Sequence, residues 1–462
     1  MGTVDTLVDY MMMAKYEDLP PLVIETVKKH FLDTLAATIA GSTEKSVQKV
    51  VKLINDWGGR EEATILVYGG KVPAPNAAFL NCLMARARDL DDVHEMGGRH
   101  VSASLVPAAL AVSEYGKMIK GKVINGKSLI LALALGSDLH IRIAMAGGRT
   151  ALYGGWTSET WASISIAAMG AKMLDFDRTK TFDAMGIAYA QCCGNTESYA
   201  EGADTVKLAN GISGKAGILA IILADQGLKG AKDILEGKSG LYPLYMRGDY
   251  SPEVLMADLG KRFEIINTSL KLYPSAFCHH HAVYGTLQLA KEHKIRPDNV
   301  KKITIFTSQH MCDMGGGECK IQPQIVSHAQ FSHYYAVASA LIRGKEWIES
   351  FTEEAIRDPQ VLEMCGKIEM IEDQEKSKLS LSIPPEGILI ETKDGRRYET
   401  LVESIPGEPN NPLSMADLIQ KLKNCVPFSA KPIPNENVDK ISRMVENLDK
   451  LDDVTTIINF MC

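Results

Sequence analysis

Residues 88 to 107, "RDLDDVHEMGGRHVSASLVP", place Asp89, Asp91, Asp92, His94 and His100 within twelve positions. Carboxylates beside imidazoles are the groups from which proton carriers are built, and paired carboxylates also hold hard cations. The Asp-x-Asp-Asp run lacks the ligand ladder of a calcium loop, and no His-x-x-x-His spacing accompanies it. Gly97 and Gly98 let the chain turn sharply before His100, Ser102 and the next helix. Three readings stay open on these residues alone: a catalytic loop, a turn between two helices, and a metal site.

Other stretches carry candidate chemistry. "LKLYPSAFCHHHAVYG", residues 270–285, joins Lys271 to three consecutive histidines. Consecutive helical residues point about 100° apart, so only one or two of His279, His280 and His281 can share a pocket. In "GADTVKLANGISGKAG" Lys207 and Lys215 stand among glycines, with neither the Walker nor the dinucleotide spacing. A lysine at a glycine-permissive helix entry suits a carboxylate. In "AQFSHYYAVASAL" Tyr334 and Tyr335 lie on an otherwise apolar helix, where tyrosine is more often core than catalyst. His310, Cys312 and Cys319 in "HMCDMGGGEC" form a weak soft-metal pattern.

The elements that must position these groups change character along the chain. Up to about residue 265 the periodicity is helical, as in "PPLVIETVKKHFLDTLAATIAG", with proline at the start and glycine at the stop. Further helices are predicted over 75–91, 104–120, 127–146, 158–173, 180–194 and 211–227. Many are rich in Ala and Gly, which permits close helix packing. From about 262 onward "RFEIINTSLKLYPS", "VKKITIFTSQ", "KIEMIEDQ" and "KSKLSLSIPPEGILIETKDGRRYETLVES" predict strands, with an Asp-Gly hairpin at 394–395. Helices over 279–293, 328–343 and 353–358 are interspersed. The expected fold is mainly α: a large all-helical domain (1–266 and 404–462) with an inserted smaller α+β lid domain (267–403).

The chain has 462 residues, 45% hydrophobic and 23% charged, a globular composition long enough for two domains or more. A net charge of −7 argues against a nucleic-acid partner, and an anionic substrate would need a local cationic pocket. The most apolar segment, "SLILALALGSDLHIRIAMAGG", is interrupted by Asp138, His140 and Arg142, so no membrane span is expected. Nine scattered cysteines without Cys-x-x-Cys spacing read as reduced thiols of a cytoplasmic protein.

"YEDLPPLVIETVKKHFLDTLAATIAG", "ARDLDDVHEMGGRHVSASLVPAALAVSE", "KLYPS", "AQFSHYYAVASAL" and "GEPNNPLSMADLIQKLKNC" together resemble the MmgE/PrpD family, in order from about residue 16 to the end. That family includes 2-methylcitrate dehydratase, cis-aconitate decarboxylase and iminodisuccinate epimerase. The resemblance implies a helical domain with an α+β lid, a homodimer and cofactor-independent chemistry with no metal. It implies His100 as proton carrier tuned by Asp89 and Asp92, with Lys271 and Tyr335 contributed by the lid. Lys207, Arg99, Arg149, Trp156, Ser102 and His280 are the implied contacts to a small anionic carboxylate substrate. Val101 stands where the family has proline, and Trp156 where a second pocket histidine is usual. Ala276 takes the place of the histidine that accompanies the lid lysine in the decarboxylase. These departures disfavour cis-aconitate decarboxylation, so the leading expectation is a lyase of the 2-methylcitrate dehydratase kind. An isomerase or epimerase of a dicarboxylate is the second expectation, and a non-catalytic helical scaffold the third.

Overall fold

The computed structural model of the protein describes residues 2–97, 100–315, 318–379 and 383–462. Two compact units divide the chain. One comprises Met1–Leu270 with Leu413–Cys462, the other Lys271–Pro412.

The first unit is built from helices, of which Pro21–Gly41, Ala74–Arg86, Val101–Lys120, Gly126–Ala146, Ala162–Met173 and Thr205–Asp225 bury most of their side chains. Local chemistry sets their ends. Pro21 opens the first, the Asn125 side chain accepts from the Ser128 N–H at 2.9 Å, and Gly121 closes another in the left-handed region. Small residues set the spacing of the helices. A Cβ on Gly211 would stand 2.6 Å from the Phe79 ring, and one on Gly214 would stand 2.7 Å from Cys82 Sγ. Helix Thr205–Asp225 therefore lies directly on helix Ala74–Arg86, which delivers the aspartate-rich loop. By length and composition Gly126–Ala146 and Thr205–Asp225 could cross a membrane, yet 94% and 67% of their apolar windows are buried among neighbouring helices. A short antiparallel pair, β1 (Ala63–Thr64) and β2 (Lys71–Val72), is the unit's one sheet among the described residues.

The second unit carries a four-stranded sheet of β3 (Val300–Thr307), β4 (Ile368–Glu372), β5 (Glu386–Thr392) and β6 (Arg397–Val402), ordered β4-β3-β5-β6. β3 pairs parallel to β4 and antiparallel to β5. The β5–β6 hairpin turns through Asp394-Gly395, with Gly395 at φ +84° as such turns require. Ile303, Ile305, Ile388 and Ile390 alternate inward, against Val283, Leu289 and Val337 of helices His280–Glu292 and His333–Arg343.

Several sequence expectations are corrected. "RFEIINTSLKLYPS" forms no strand: Glu264–Asn267 is a 3-10 turn, with only a single bridge from Ser269 to Val93. There the Glu264 N–H donates to buried Asp138 Oδ1 at 2.9 Å, so a side chain takes the place of a ladder partner. The helix expected over 328–343 breaks at Ser332, whose hydroxyl caps the following helix by accepting from the Tyr335 N–H at 3.0 Å. The helix expected over 353–358 is a 3-10 turn at Ala355–Arg357, and the one expected over 75–91 stops at Arg86.

The C-terminal segment is tied into the first unit by a buried charge. Lys421 Nζ donates to Asp33 Oδ1 at 2.6 Å and to the Leu90 carbonyl at 3.0 Å, and both side chains are buried. Lys421→Met leaves Asp33 buried without its counter-charge and should cost about 3–5 kcal/mol in urea unfolding. The double variant Lys421→Met/Asp33→Leu should recover part of that loss, and the exposed Lys423→Met should change little.

Candidate active site

Helix Ala74–Arg86 ends on a fully buried arginine, and the next turn folds back on it. The Asp89 N–H donates to the Arg86 carbonyl at 3.1 Å, and Asp89 takes a positive φ of +54°, uncommon for a residue with a side chain. That backbone twist brings the Asp89 carboxylate onto Arg86 Nη1, while Asp91 Oδ1 lies 3.5 Å from the same nitrogen. Burial alone would lower the Arg86 pKa, but the Asp89 and Asp91 charges outweigh it and hold it above its ordinary value. The loop is pinned further along, where Val93 and Ser269 exchange backbone hydrogen bonds of 2.9 and 2.8 Å.

His100 stands immediately before helix Val101–Lys120, and its Nδ1 lies 2.9 Å from Asp91 Oδ2. With Nδ1–H donated to that carboxylate, the Nε2 lone pair is the ring's free base. The sequence expectation assigned the tuning of His100 to Asp89 and Asp92, and both assignments are corrected. Asp89 is turned onto Arg86. Asp92 is a structural hub that accepts from the Ser102 N–H at 3.0 Å and the Ser102 hydroxyl at 2.6 Å and pairs with His30 Nδ1 at 2.9 Å. The Ser102 hydroxyl thus holds the loop through Asp92 and lies 3.3 Å from His30 Nδ1.

Lys207 is buried, and burial lowers its pKa against the opposing pull of Glu44 and Asp89, with Arg86 and Arg88 lowering it further. It thus belongs to the same electrostatic neighbourhood as the Arg86–Asp89 pair. Two residues in this neighbourhood were missed at the sequence level. Arg86 keeps Nε and Nη2 without a hydrogen-bond partner among the described residues, although its side chain is fully buried. Glu159 is buried with neither carboxyl oxygen hydrogen-bonded among those residues, and its charge, like that of Tyr199, bears on Arg86. A charged residue closing an apolar helix, and a glutamate opening one in "TSETWASISIAAMG", were the available signals.

The other expected site residues have the following surroundings. Arg149 is exposed, with its guanidinium 5.2 Å from the Tyr153 ring centre. Trp156 is half-buried, donates its indole N–H to the Tyr245 carbonyl at 2.8 Å, and cannot act as acid or base. Arg99 lies outside the described residues. In the second unit Lys271 is fully buried, and the His280 ring packs 5.0 Å from both Tyr273 and Phe277. Tyr335 is buried within the second unit: its hydroxyl donates to the Ser350 carbonyl at 2.6 Å, and burial raises its pKa.

The Asp89–Asp91–His100 group has ligand atoms within 4.8 Å of one another, close enough to suit a cation. Arg86 already supplies a positive charge to both carboxylates, and a metal beside it would meet repulsion.

Deeper in the same unit, burial lowers His94 to about 4 and His140 to about 3, against the pull of Asp92 on both. Neither His94 nitrogen has a hydrogen-bond partner among the described residues. The unfolded chain protonates His94 near its ordinary 6.5, while the folded protein refuses that proton until about 4. Its stabilising effect is therefore complete above pH 6.5 and lost as pH falls through that window, by up to about 3 kcal/mol. His94→Gln should flatten the stability–pH curve between those limits, as read by denaturant midpoints at each pH.

Residues 5–253 match the MmgE/PrpD N-terminal domain, and residues 273–450 match the MmgE/PrpD C-terminal domain. Among similar proteins, the cis-aconitate decarboxylase-like protein oryM of Aspergillus oryzae is 24% identical, over 98% of this chain and 95% of its own length. The cis-aconitate decarboxylases of Homo sapiens and Mus musculus are 25% and 24% identical, each over 96% of this chain and over 91% and 90% of their own lengths.

Proposed function

The chain belongs to the MmgE/PrpD family, and from that premise we propose that it is a lyase acting on a small polycarboxylate, with His100 moving a proton at a carbon next to a carboxylate. The observation that carries the reading is the pairing of a base with an anion receptor. The Asp91–His100 dyad stands beside Arg86, a buried guanidinium with two donors left over. Buried donors of that kind suit a planar carboxylate, which can accept two N–H bonds at once.

In the leading form the substrate is a hydroxy-polycarboxylate and the reaction is dehydration. His100 Nε2 removes the proton from the α carbon, and Asp91 stabilises the imidazolium that results. The electron pair passes into the adjacent carboxylate as an enolate, where Arg86 and Lys207 oppose the new charge. The pair then forms the carbon–carbon double bond as the β hydroxyl takes a proton and leaves as water. Glu159, the buried carboxyl beside Arg86, is the candidate for delivering that proton. No step needs a metal, because the guanidinium serves the carboxylates that a cation would otherwise bind.

A second reading, decarboxylation of an unsaturated polycarboxylate, is favoured by the names of the similar proteins. There the carbon–carbon bond to the departing CO2 breaks, its electrons delocalise through the double bond, and protonated His100 returns a proton to carbon. Trp156, where a family histidine is usual, speaks against that reading.

Incubation with citrate, 2-methylcitrate, cis-aconitate and iminodisuccinate in deuterated water separates these chemistries. Release of water with formation of an alkene supports the leading form. Release of CO2 supports the second, and deuterium uptake with neither loss identifies an isomerase. Inertness toward all four, unchanged in His100→Ala, counts against catalysis at this site. His100→Ala should lower kcat/KM by about 10²–10⁴-fold and Asp91→Asn by about 10²-fold. Asp92→Asn should act mainly on stability.

A further inference from the structure

A separate cluster of metal-binding side chains lies inside the second unit. We propose that Cys278, His279 and His333 form a site for a borderline-soft divalent cation, zinc first among them. One ligand atom each from Cys278, His279 and His333 lies within 4.8 Å of the other two, and all three residues are buried. The rings of His279 and His333 meet edge to face with centres 4.2 Å apart.

The hydrogen bonding of His333 selects its tautomer. Its Nε2 is 3.0 Å from the Cys278 carbonyl, an approach that requires the proton on Nε2. The lone pair is then on Nδ1, which is buried with no hydrogen-bond partner among the described residues. A ligating histidine characteristically donates its other ring N–H to a carbonyl or carboxylate in this way. Gly315 backs the same ring: a Cβ there would stand 2.8 Å from Nδ1 and 2.9 Å from Met370 Sδ.

Glu386, on the Nε2 side of His333, supplies negative charge beside the cluster. It is fully buried, with Oε1 3.5 Å from His333 Nε2, and neither oxygen is hydrogen-bonded among the described residues. A carboxyl so placed is costly unless a cation balances it. A ligating thiolate and a nearby carboxylate together balance a divalent ion, and one sulfur with two imidazoles is a zinc-type set with a fourth position open. Met311, packed against Cys278, keeps the surroundings apolar and soft. The donors come from the 3-10 turn Phe277–His279 and the first residue of helix His333–Arg343. A bound ion would staple these two elements together.

The test is metal content and cobalt spectroscopy on the untagged full chain, grown with zinc and dialysed. The expected result is about one zinc per chain. Cobalt(II) exchanged for it should give a thiolate-to-metal charge-transfer band that disappears in Cys278→Ser and weakens in His333→Gln, while His100→Ala retains both zinc and band. Substoichiometric zinc in the wild type, no thiolate band with cobalt, or full zinc in Cys278→Ser would each overturn the proposal and leave a buried histidine–glutamate pair. Loss of the ion in His100→Ala with retention in Cys278→Ser would overturn it too, by assigning the metal to the Asp89–Asp91–His100 group. If either cluster variant fails to fold, the wild-type cobalt spectrum decides alone.

Discussion

A guanidinium with no access to water is the constraint around which the first unit is arranged. Arg86 is fully buried at the end of an apolar helix, and such a charge persists only when carboxylates surround it. Asp89 bends into the left-handed region to reach it, and Asp91 follows on the same side. Once the loop is drawn round the arginine, Asp91 has one oxygen near Arg86 and the other on His100. The orientation of the imidazole is thus a by-product of neutralising a buried cation. Asp92 faces the other way and fixes the loop to helices Pro21–Gly41 and Val101–Lys120 through His30 and Ser102.

Three adjacent acidic residues therefore have three different tasks. One balances charge, one orients a base, and one anchors backbone and side chains. Their residue types are the same, and only the direction in which the chain leads each of them differs. This division ties the loop down at three points, through Arg86, His100 and the His30–Ser102 pair.

Much of this was legible in the residues themselves. The aspartate–histidine run stood out because its members are close in the chain, and the helices flanking it followed from apolar periodicity. Which aspartate meets His100 was not legible, because it depends on a positive φ at Asp89 that no propensity assigns to aspartate there. Arg86 and Glu159 were missed because each is a single charge on an apolar helix, and only burial shows that its polar atoms lack partners. A family motif marks Tyr335, but that its hydroxyl meets the Ser350 carbonyl could not be read from the residues. The strand expected near residue 265 failed because β-branched alternation is local, whereas Asp138, far away in sequence, captures the backbone N–H that a ladder would need.

The attachment of Lys421 bears on how the protein is made. The lysine reaches Asp33, 388 residues earlier in the chain, and the carbonyl of Leu90, 331 residues earlier, inside the aspartate-rich loop. During synthesis the helices that form the floor of the loop leave the ribosome long before the residue that holds its backbone. The whole second unit, Lys271–Pro412, must emerge in between. Closing so long a span carries an entropic cost that grows slowly with length, but it delays the final contact until translation is nearly complete. The nascent first unit therefore waits with Asp33 unneutralised, and the aspartate-rich loop lacks the contact at its Leu90 carbonyl until Lys421 arrives.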